Sequence, residues 1–419
     1  MDVLPFAGGL EYSSREETRA GEELCVNDQG RGVERARETH DAVLGRVREL
    51  TGRIRDAAGA AEEARTISPE IVDALLGAGI SRILIPPRFG GYGLGLDTWF
   101  EVVREIGKAD ASHAWCASLM IHHPHYVSQF PEKAQKAVWE EGLDQSIAAS
   151  IQPAGQVERV AGGYRLSGQF SFASGINHSR WLIVGALLHT EGGPDAVFFL
   201  VRPQDYRVED SWFTTAMRAT GSNTAICDNV FVPENFTVRL SDLREGKGPG
   251  GALHGHPLYR APFITYAPLT FVTPMLGAAQ GAYEIFRDWI KGRRTRGGAV
   301  TDIVSIQVRL ARAAADLDAA EFLLRRALDV AQAPQPASLA IRARSMRDCS
   351  RAVELCVGAI DALLTMSGTA GFSSSHPIQR AWRDLHFAAM HAALNVEQNL
   401  SHFGRLELGL PRDPHLPFF

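Results

Sequence analysis

Four long segments with apolar residues at helical spacing, roughly 262–295, 300–332, 337–368 and 376–407, bound the fold most tightly. Several exceed the ordinary length of a globular helix. The breaks between them are short and rich in turn residues: Arg296-Gly297-Gly298, Pro334-Gln335-Pro336 and the stretch from Gly371 to Ser375. Long helices with short connections bury their apolar stripes against one another, which predicts an up-down four-helix bundle.

The chain ahead of this bundle is of different character. Residues 1–38 are rich in Gly, Glu, Arg and Ser and read as a disordered extension, because few apolar groups there offset the entropy of ordering. From His40 the spacing of Val43, Leu44, Val47, Leu50 and Ile54 predicts an amphipathic helix, and Ser68-Pro69-Glu70 is a helix start with serine as cap. Arg88-Phe89-Gly90-Gly91-Tyr92-Gly93 is a loop, and helical spacing resumes from Asp97 to about Glu141. Between Gln145 and Val232, short β-branched and aromatic runs (Tyr164–Phe172, Trp181–Leu188, Val197–Val201, Ile226–Val232) alternate with turn residues and predict an antiparallel β domain. Gly246–His256 reads as a flexible joint. The class is therefore α+β: a helical domain at 39–141, a central β domain at 142–245 and the bundle at 246–419.

Composition removes several functions. With 419 residues and a formal net charge of −5, the chain lacks the excess of basic charge that nucleic-acid binding requires. Its five cysteines (Cys25, Cys116, Cys227, Cys349, Cys356) form no C-x-x-C pair, so neither a zinc site nor a disulfide framework is indicated. No apolar run reaches membrane-spanning length and no secretory signal opens the chain, which suits a cytoplasmic protein. The cluster Ile121-His122-His123-Pro124-His125-Tyr126 invites a metal reading. It lacks a partnering carboxylate pair, and Pro124 is expected to disrupt the helix that would fix the ligands.

The order helical, β, four-helix bundle resembles the acyl-CoA dehydrogenase superfamily, and local strings sharpen the likeness. They are Ile85-Pro86-Pro87-Arg88-Phe89-Gly90-Gly91, the run Gly163 to Gly175, and Met217-Arg218-Ala219-Thr220-Gly221-Ser222-Asn223-Thr224 with Val230-Phe231-Val232-Pro233 after it. Two acids of the dehydrogenases are missing. The string at 367–373, Ser-Gly-Thr-Ala-Gly-Phe-Ser, holds no catalytic glutamate, and Ser150 to Gln156 replaces their acid-bearing loop. Trp382-Arg383-Asp384-Leu385, with His391 seven residues after the aspartate and Asn395 beyond, resembles instead the group D two-component flavin monooxygenases. These include oxygenases acting on p-hydroxyphenylacetate, and Asp210-Ser211-Trp212-Phe213 is similar to aromatic-polyketide hydroxylases. The likeness covers about residues 40–410.

The resemblance implies an oxygenase that takes reduced FMN or FAD and O2, forms a C4a-hydroperoxyflavin and hydroxylates a small phenolic or polycyclic aromatic substrate. No G-x-G-x-x-G follows a strand, so reduced flavin is expected from a separate NAD(P)H:flavin reductase. The family also implies a homo-oligomer, a tetramer. By the same resemblance Ser174 lies beside the flavin ring and His391, read as facing the bundle interior from mid-helix, acts in catalysis. Phe172, Thr220, Gly221 and Ser222 line the flavin, while Arg293 or Arg294 reaches its phosphate across a subunit boundary. One of His122, His123 and His125 faces the substrate, where an imidazole suits sharing a phenol's proton. Trp115 and Trp382 are candidates for an apolar wall. Alternatives within the fold are N-hydroxylation of an amino sugar or amine, and dehydrogenation of a thioester.

Overall fold

Thr39 starts the first helix, its hydroxyl accepting from the Ala42 N–H, and α1 (His40–Ala64) buries Val43, Leu44, Val47 and Ile54. In this computed structural model the described residues are 38–190, 193–334 and 337–411; all but the last residue of the expected extension lies outside them. From Thr39 on, the described residues belong to one compact unit. Helix α2 (Pro69–Gly77) begins where the sequence predicts, with the Ser68 hydroxyl accepting from the Ile71 N–H and Pro69 in the first turn. Then come α3 (Leu96–Ala109), α4 (Ala111–Val127) and α5 (Glu132–Trp139). Helix α4 runs through Pro124 without a break, contrary to the sequence expectation. Burial along its whole length holds it helical despite the lost N–H.

Seven strands follow: β1 (Ser146–Val160), β2 (Gly163–Phe170), β3 (Ser179–Thr190), β4 (Gly193–Val201), β5 (Arg207–Glu209), β6 (Thr224–Pro233) and β7 (Thr237–Arg239). They form one sheet in the order β5-β6-β2-β1-β3-β4-β7. The sheet is mixed rather than antiparallel, because β1 pairs antiparallel with β2 but parallel with β3. Strand β1 was invisible to the pattern reading: Ala148, Ala149, Pro153, Ala154 and Gly155 are poor strand formers, and the ladder shifts register around Pro153. The connection from β2 to β3, residues 171–178, must cross the end of β1. That crossing carries the central serine of the site.

After a short helix α6 (Leu240–Arg244), the predicted flexible joint is a packed strap. Gly248, Gly250 and Gly251 are buried, and a Cβ on Gly250 would lie 2.0 Å from the Phe130 carbonyl, so only glycine permits this approach. The bundle consists of α7 (Phe263–Ile290), α8 (Val304–Gln332), α9 (Leu339–Gly371), α10 (Pro377–Ala389) and α11 (Val396–Glu407). Helix α9 is apolar enough over an 18-residue window to pass for a membrane span, and half of that window is buried in the fold. The fourth predicted segment is two helices, separated by a 3-10 turn at Ala392–Leu394.

Helix α7 packs on α3, α4, α8, α9 and α10, and contains Pro268 and Pro274. Pro274 cannot donate to the Thr270 carbonyl one turn back. Ser118 of α4 supplies the missing donor, its hydroxyl reaching Thr270 O at 2.8 Å. A helix–helix bond thus replaces an intrahelical one at the centre of the molecule.

Candidate active site

The 171–178 crossing and the segment 217–224 are laced together by backbone bonds: Ala173 N–H to Asn223 O at 3.1 Å and Gly175 N–H to Thr220 O at 2.8 Å. Gly221, at φ 52°, allows the second segment to turn; a Cβ there would sit 3.2 Å from Arg65 O in an unfavourable backbone region. Phe172 adopts φ 62° despite its bulk and stands 66% exposed, edge-on to Trp212. A bulky residue held in left-handed geometry with its ring in the open is a candidate functional position.

Between these segments runs a chain of hydroxyls. Trp115 Nε1 of α4 donates to Ser174 Oγ at 3.2 Å; Ser174 Oγ meets Ser222 Oγ at 2.8 Å, and Ser222 Oγ meets Thr220 Oγ1 at 2.6 Å. Thr220 donates to the Met217 carbonyl at 2.8 Å. Each hydroxyl has one proton, so fixing the last bond orients all the others. With Thr220 donating to Met217 O, Ser222 donates to Thr220 and Ser174 donates to Ser222. Ser174 thereby presents a remaining lone pair, an acceptor, to whatever meets it.

His391 closes the other side of Trp115. Its ring stacks on Phe271 of α7 with centroids 3.8 Å apart and meets Trp115 edge-on at 5.6 Å. It is not mid-helix, as the sequence reading had it, but caps the 3-10 turn between α10 and α11. The fourth segment breaks here because polar caps replace the helical ladder: Asn395 accepts from Gln398 N–H, and His391 Nδ1 from Ala393 N–H. Burial pushes the His391 pKa down to about 4, so the ring is neutral near pH 7. With Nδ1 accepting, the proton resides on Nε2, which is a donor.

Seven residues beyond Trp115, two turns and about 10 Å along the same face of α4, stands His122. Its Nδ1 bonds the Thr270 hydroxyl, and its Nε2 has no partner. His125 has no partner on either nitrogen, nor does the Tyr259 hydroxyl, whose ring lies 5.8 Å from His125. Tyr266 packs edge-on against both histidines. Buried groups of this kind normally find partners, so this cluster of open polar atoms is a candidate place for a polar ligand. His123 differs: its Nδ1 donates to Ile147 O at 2.6 Å, tying α4 to β1. Desolvation lowers all three histidines, His123 to about 4 and His125 to about 3. Among the described residues no set of side chains is arranged to hold a metal ion.

Two candidates stand elsewhere. Arg293 lies over the Trp289 ring, 4.7 Å from its centroid, beside a two-residue hairpin (Arg294–Thr295 with Gly298–Ala299). Trp382 does not wall the site: its Nε1 donates to Asp361 and its ring packs on His386. The sequence reading missed Phe271, Thr270, Tyr266 and Tyr259. Spacing offers one signal, since Tyr266 and Thr270 are four apart on α7 and so share the face toward His122.

The acyl-CoA dehydrogenase N-terminal domain family matches residues 37–143, and the acyl-CoA dehydrogenase C-terminal domain family matches residues 269–396. The FADH(2)-dependent resorcinol hydroxylase oxygenase component of Rhizobium sp. strain MTP-10005 is 34% identical over 403 residues, covering 92% of this chain and 98% of that protein. The crystal structure of 3-HSA hydroxylase from Rhodococcus sp. RHA1 superposes with a TM-score of 0.85 at 31% identity, covering 90% and 99% of the two chains. XiaF from Streptomyces sp., in complex with FADH2 and glycerol, superposes with a TM-score of 0.83 at 29% identity, covering 90% and 97%. The chain therefore belongs to the acyl-CoA dehydrogenase superfamily and, within it, to the oxygenase components of flavin-dependent monooxygenases.

Proposed function

We propose that this oxygenase hydroxylates a small phenolic or polycyclic aromatic substrate with O2 and reduced FMN or FAD delivered by a separate NAD(P)H:flavin reductase, in the cytoplasm. The observation that carries the reading is the oriented chain from Trp115 through Ser174, Ser222 and Thr220, lying beside a neutral His391. Reduced flavin, when bound, supplies two electrons and the centre at which O2 is activated. The residues fit such a group. A planar ring would cover the exposed face of Phe172, and the free lone pair of Ser174 suits a ring N–H of the reduced form. Thr220, Gly221 and Ser222 would hold the flavin from the β-domain side.

His391 Nε2–H and Trp115 would close the reacting space against water, and exclusion of water is the protein's main task in such chemistry. His122 or His125 would take the phenol. An imidazole with a depressed pKa and an open nitrogen accepts a hydrogen bond from the hydroxyl and draws electron density into the ring. His123 is less suited, being tied to Ile147 O. Arg293 is assigned to a flavin phosphate in a homotetramer, where its site would be completed by a second subunit.

The test is an anaerobic titration of the protein with reduced FMN and reduced FAD, followed by O2 with and without a phenol such as resorcinol. Hydroxylated product only when reduced flavin, O2 and phenol are all present supports the proposal. Tight binding of reduced flavin with no product from any phenol, but N-oxidation of an amine, would transfer it to the competing reading.

A further inference from the structure

Asp384 is the second residue of the Arg-Asp pair on α10 and is 2% exposed. Its Oδ1 accepts the backbone N–H of Met217 at 2.6 Å, across 167 residues of sequence. Met217 occupies left-handed backbone, φ 49°, where a non-glycine residue needs outside support. Its carbonyl accepts from both Thr220 Oγ1 and Trp212 Nε1 (3.0 Å) and so ends the hydroxyl chain. The neighbouring Arg383 grips the same segment, donating to Thr215 O and to Glu62 at 2.6 Å, while Arg218 donates to Thr214 O and Glu62 O. Asp110 stands close by, bonded to His113 at 2.8 Å and near Arg380 at 3.4 Å.

We infer that Asp384 is a positioning residue: by holding the Met217 N–H it pins the Ala216–Met217 peptide and, through the left-handed backbone of Met217, the direction of the carbonyl in the next peptide, to which Thr220 donates, with Ser222 donating to Thr220 and Ser174 to Ser222, and so keeps Ser174 an acceptor. This rests on the role proposed for Ser174. If Met217 left this backbone conformation, its carbonyl would turn away and the chain would lose its terminal acceptor. Thr220 could then donate to Ser222 and Ser222 to Ser174, leaving the Ser174 proton to point at the ligand. A hydroxyl that donates where it should accept opposes a ring N–H, so substrate hydroxylation would give way to release of hydrogen peroxide.

The test compares Asp384→Leu, which removes the acceptor and keeps the branched shape, with Asp384→Asn, which keeps an oxygen for Met217 N–H. Amide hydrogen exchange of the flavin-free protein reads the peptide directly. In Asp384→Leu the 215–222 segment should exchange several-fold to about tenfold faster, as expected for loss of a buried hydrogen bond, and Asp384→Asn should restore protection. The second readout is product formed per reduced flavin consumed. It should fall in Asp384→Leu, fall equally in Thr220→Val, and fall no further in the double variant, because both act through one chain.

Unchanged exchange at 215–222 in Asp384→Leu overturns the inference, as does additive loss in the double variant. If Asp384→Leu unfolds, failure of Asp384→Asn to match the wild type in exchange and coupling overturns it equally. Should Ser174→Ala leave coupling intact, the flavin-facing role of Ser174 fails instead, while the exchange experiment still judges the Asp384–Met217 link.

Discussion

The bond between Trp115 and Ser174 joins α4 to the crossing between β2 and β3, and a double-mutant cycle measures it. Trp115 is 7% exposed, and its Nε1–H has Ser174 Oγ as its acceptor at 3.2 Å. Ser174→Ala leaves that donor buried and unpaired, a cost of about 1–3 kcal/mol. Ser222 suffers less, since its own proton remains on Thr220. Trp115→Phe removes the donor together with part of the ring that packs on Phe271 and His391, costing roughly 1–2 kcal/mol. In the double variant no donor is stranded, so the combined loss should be smaller than the sum by about 1 kcal/mol. A folded unit of this length unfolds with an entropy of about 0.8 kcal/mol/K, so calorimetry should show each single variant melting ~1–3 °C lower. The pair should melt about 1 °C higher than additivity predicts. Additive shifts would mean that the two groups do not share a bond, and the oriented hydroxyl chain would lose its first link.

Three further outcomes follow from the same geometry. Ser118→Ala should lower stability by about 1–3 kcal/mol, more than an ordinary surface change, because the Thr270 carbonyl freed by Pro274 then has no donor; thermal melting of the flavin-free protein checks this. His391→Ala should leave reduced-flavin affinity within a few fold but lower product formed per flavin oxidised, read by peroxide and product assays; unchanged coupling would remove His391 from the reacting space. The third concerns pH. His123 is pushed down to about 4 in the folded state, so its contribution is present above the unfolded value near 6.5 and is lost as pH falls from there toward 4, about 3 kcal/mol in all. Asp384 acts in the opposite sense: desolvation and Asp110 raise its pKa to about 7, so its contribution is lost as pH rises from about 4 to 7. Melting temperature against pH should therefore climb less steeply in wild type between pH 4 and 7 than in Asp384→Asn.

How much of this the sequence revealed depended on whether a residue's role is local. The helix start at Ser68, the bundle segments and strands β2, β3, β4 and β6 are governed by caps, periodicity and β-branched runs, all contained within a few neighbours. Strand β1 and the packed strap at Gly246–His256 are not. The first is a strand because β2 and β3 flank it, and the second is ordered because its glycines fit against Gln129 and Phe130. Pro124 shows the same limit from the other side: proline signals a break locally, but α4 is buried along its length and continues through it, as α7 does through Pro274 with Ser118 on Thr270 O.

The site repeats that division. Ser174, Ser222 and Thr220 were legible as strings, but their direction was not, because it is set at Met217, and Met217 is set by a carboxylate on α10. This explains why the break after Ala389 matters. Asp384 is presented by the body of α10, and by ending α10 after Ala389 the chain turns His391 onto Phe271 and Trp115. One continuous helix through residue 391 would replace the His391 cap on Ala393 with ordinary helical geometry. The aspartate and the histidine, seven residues apart, thus reach the same hydroxyl chain from its two ends, Asp384 through Met217 and His391 through Trp115.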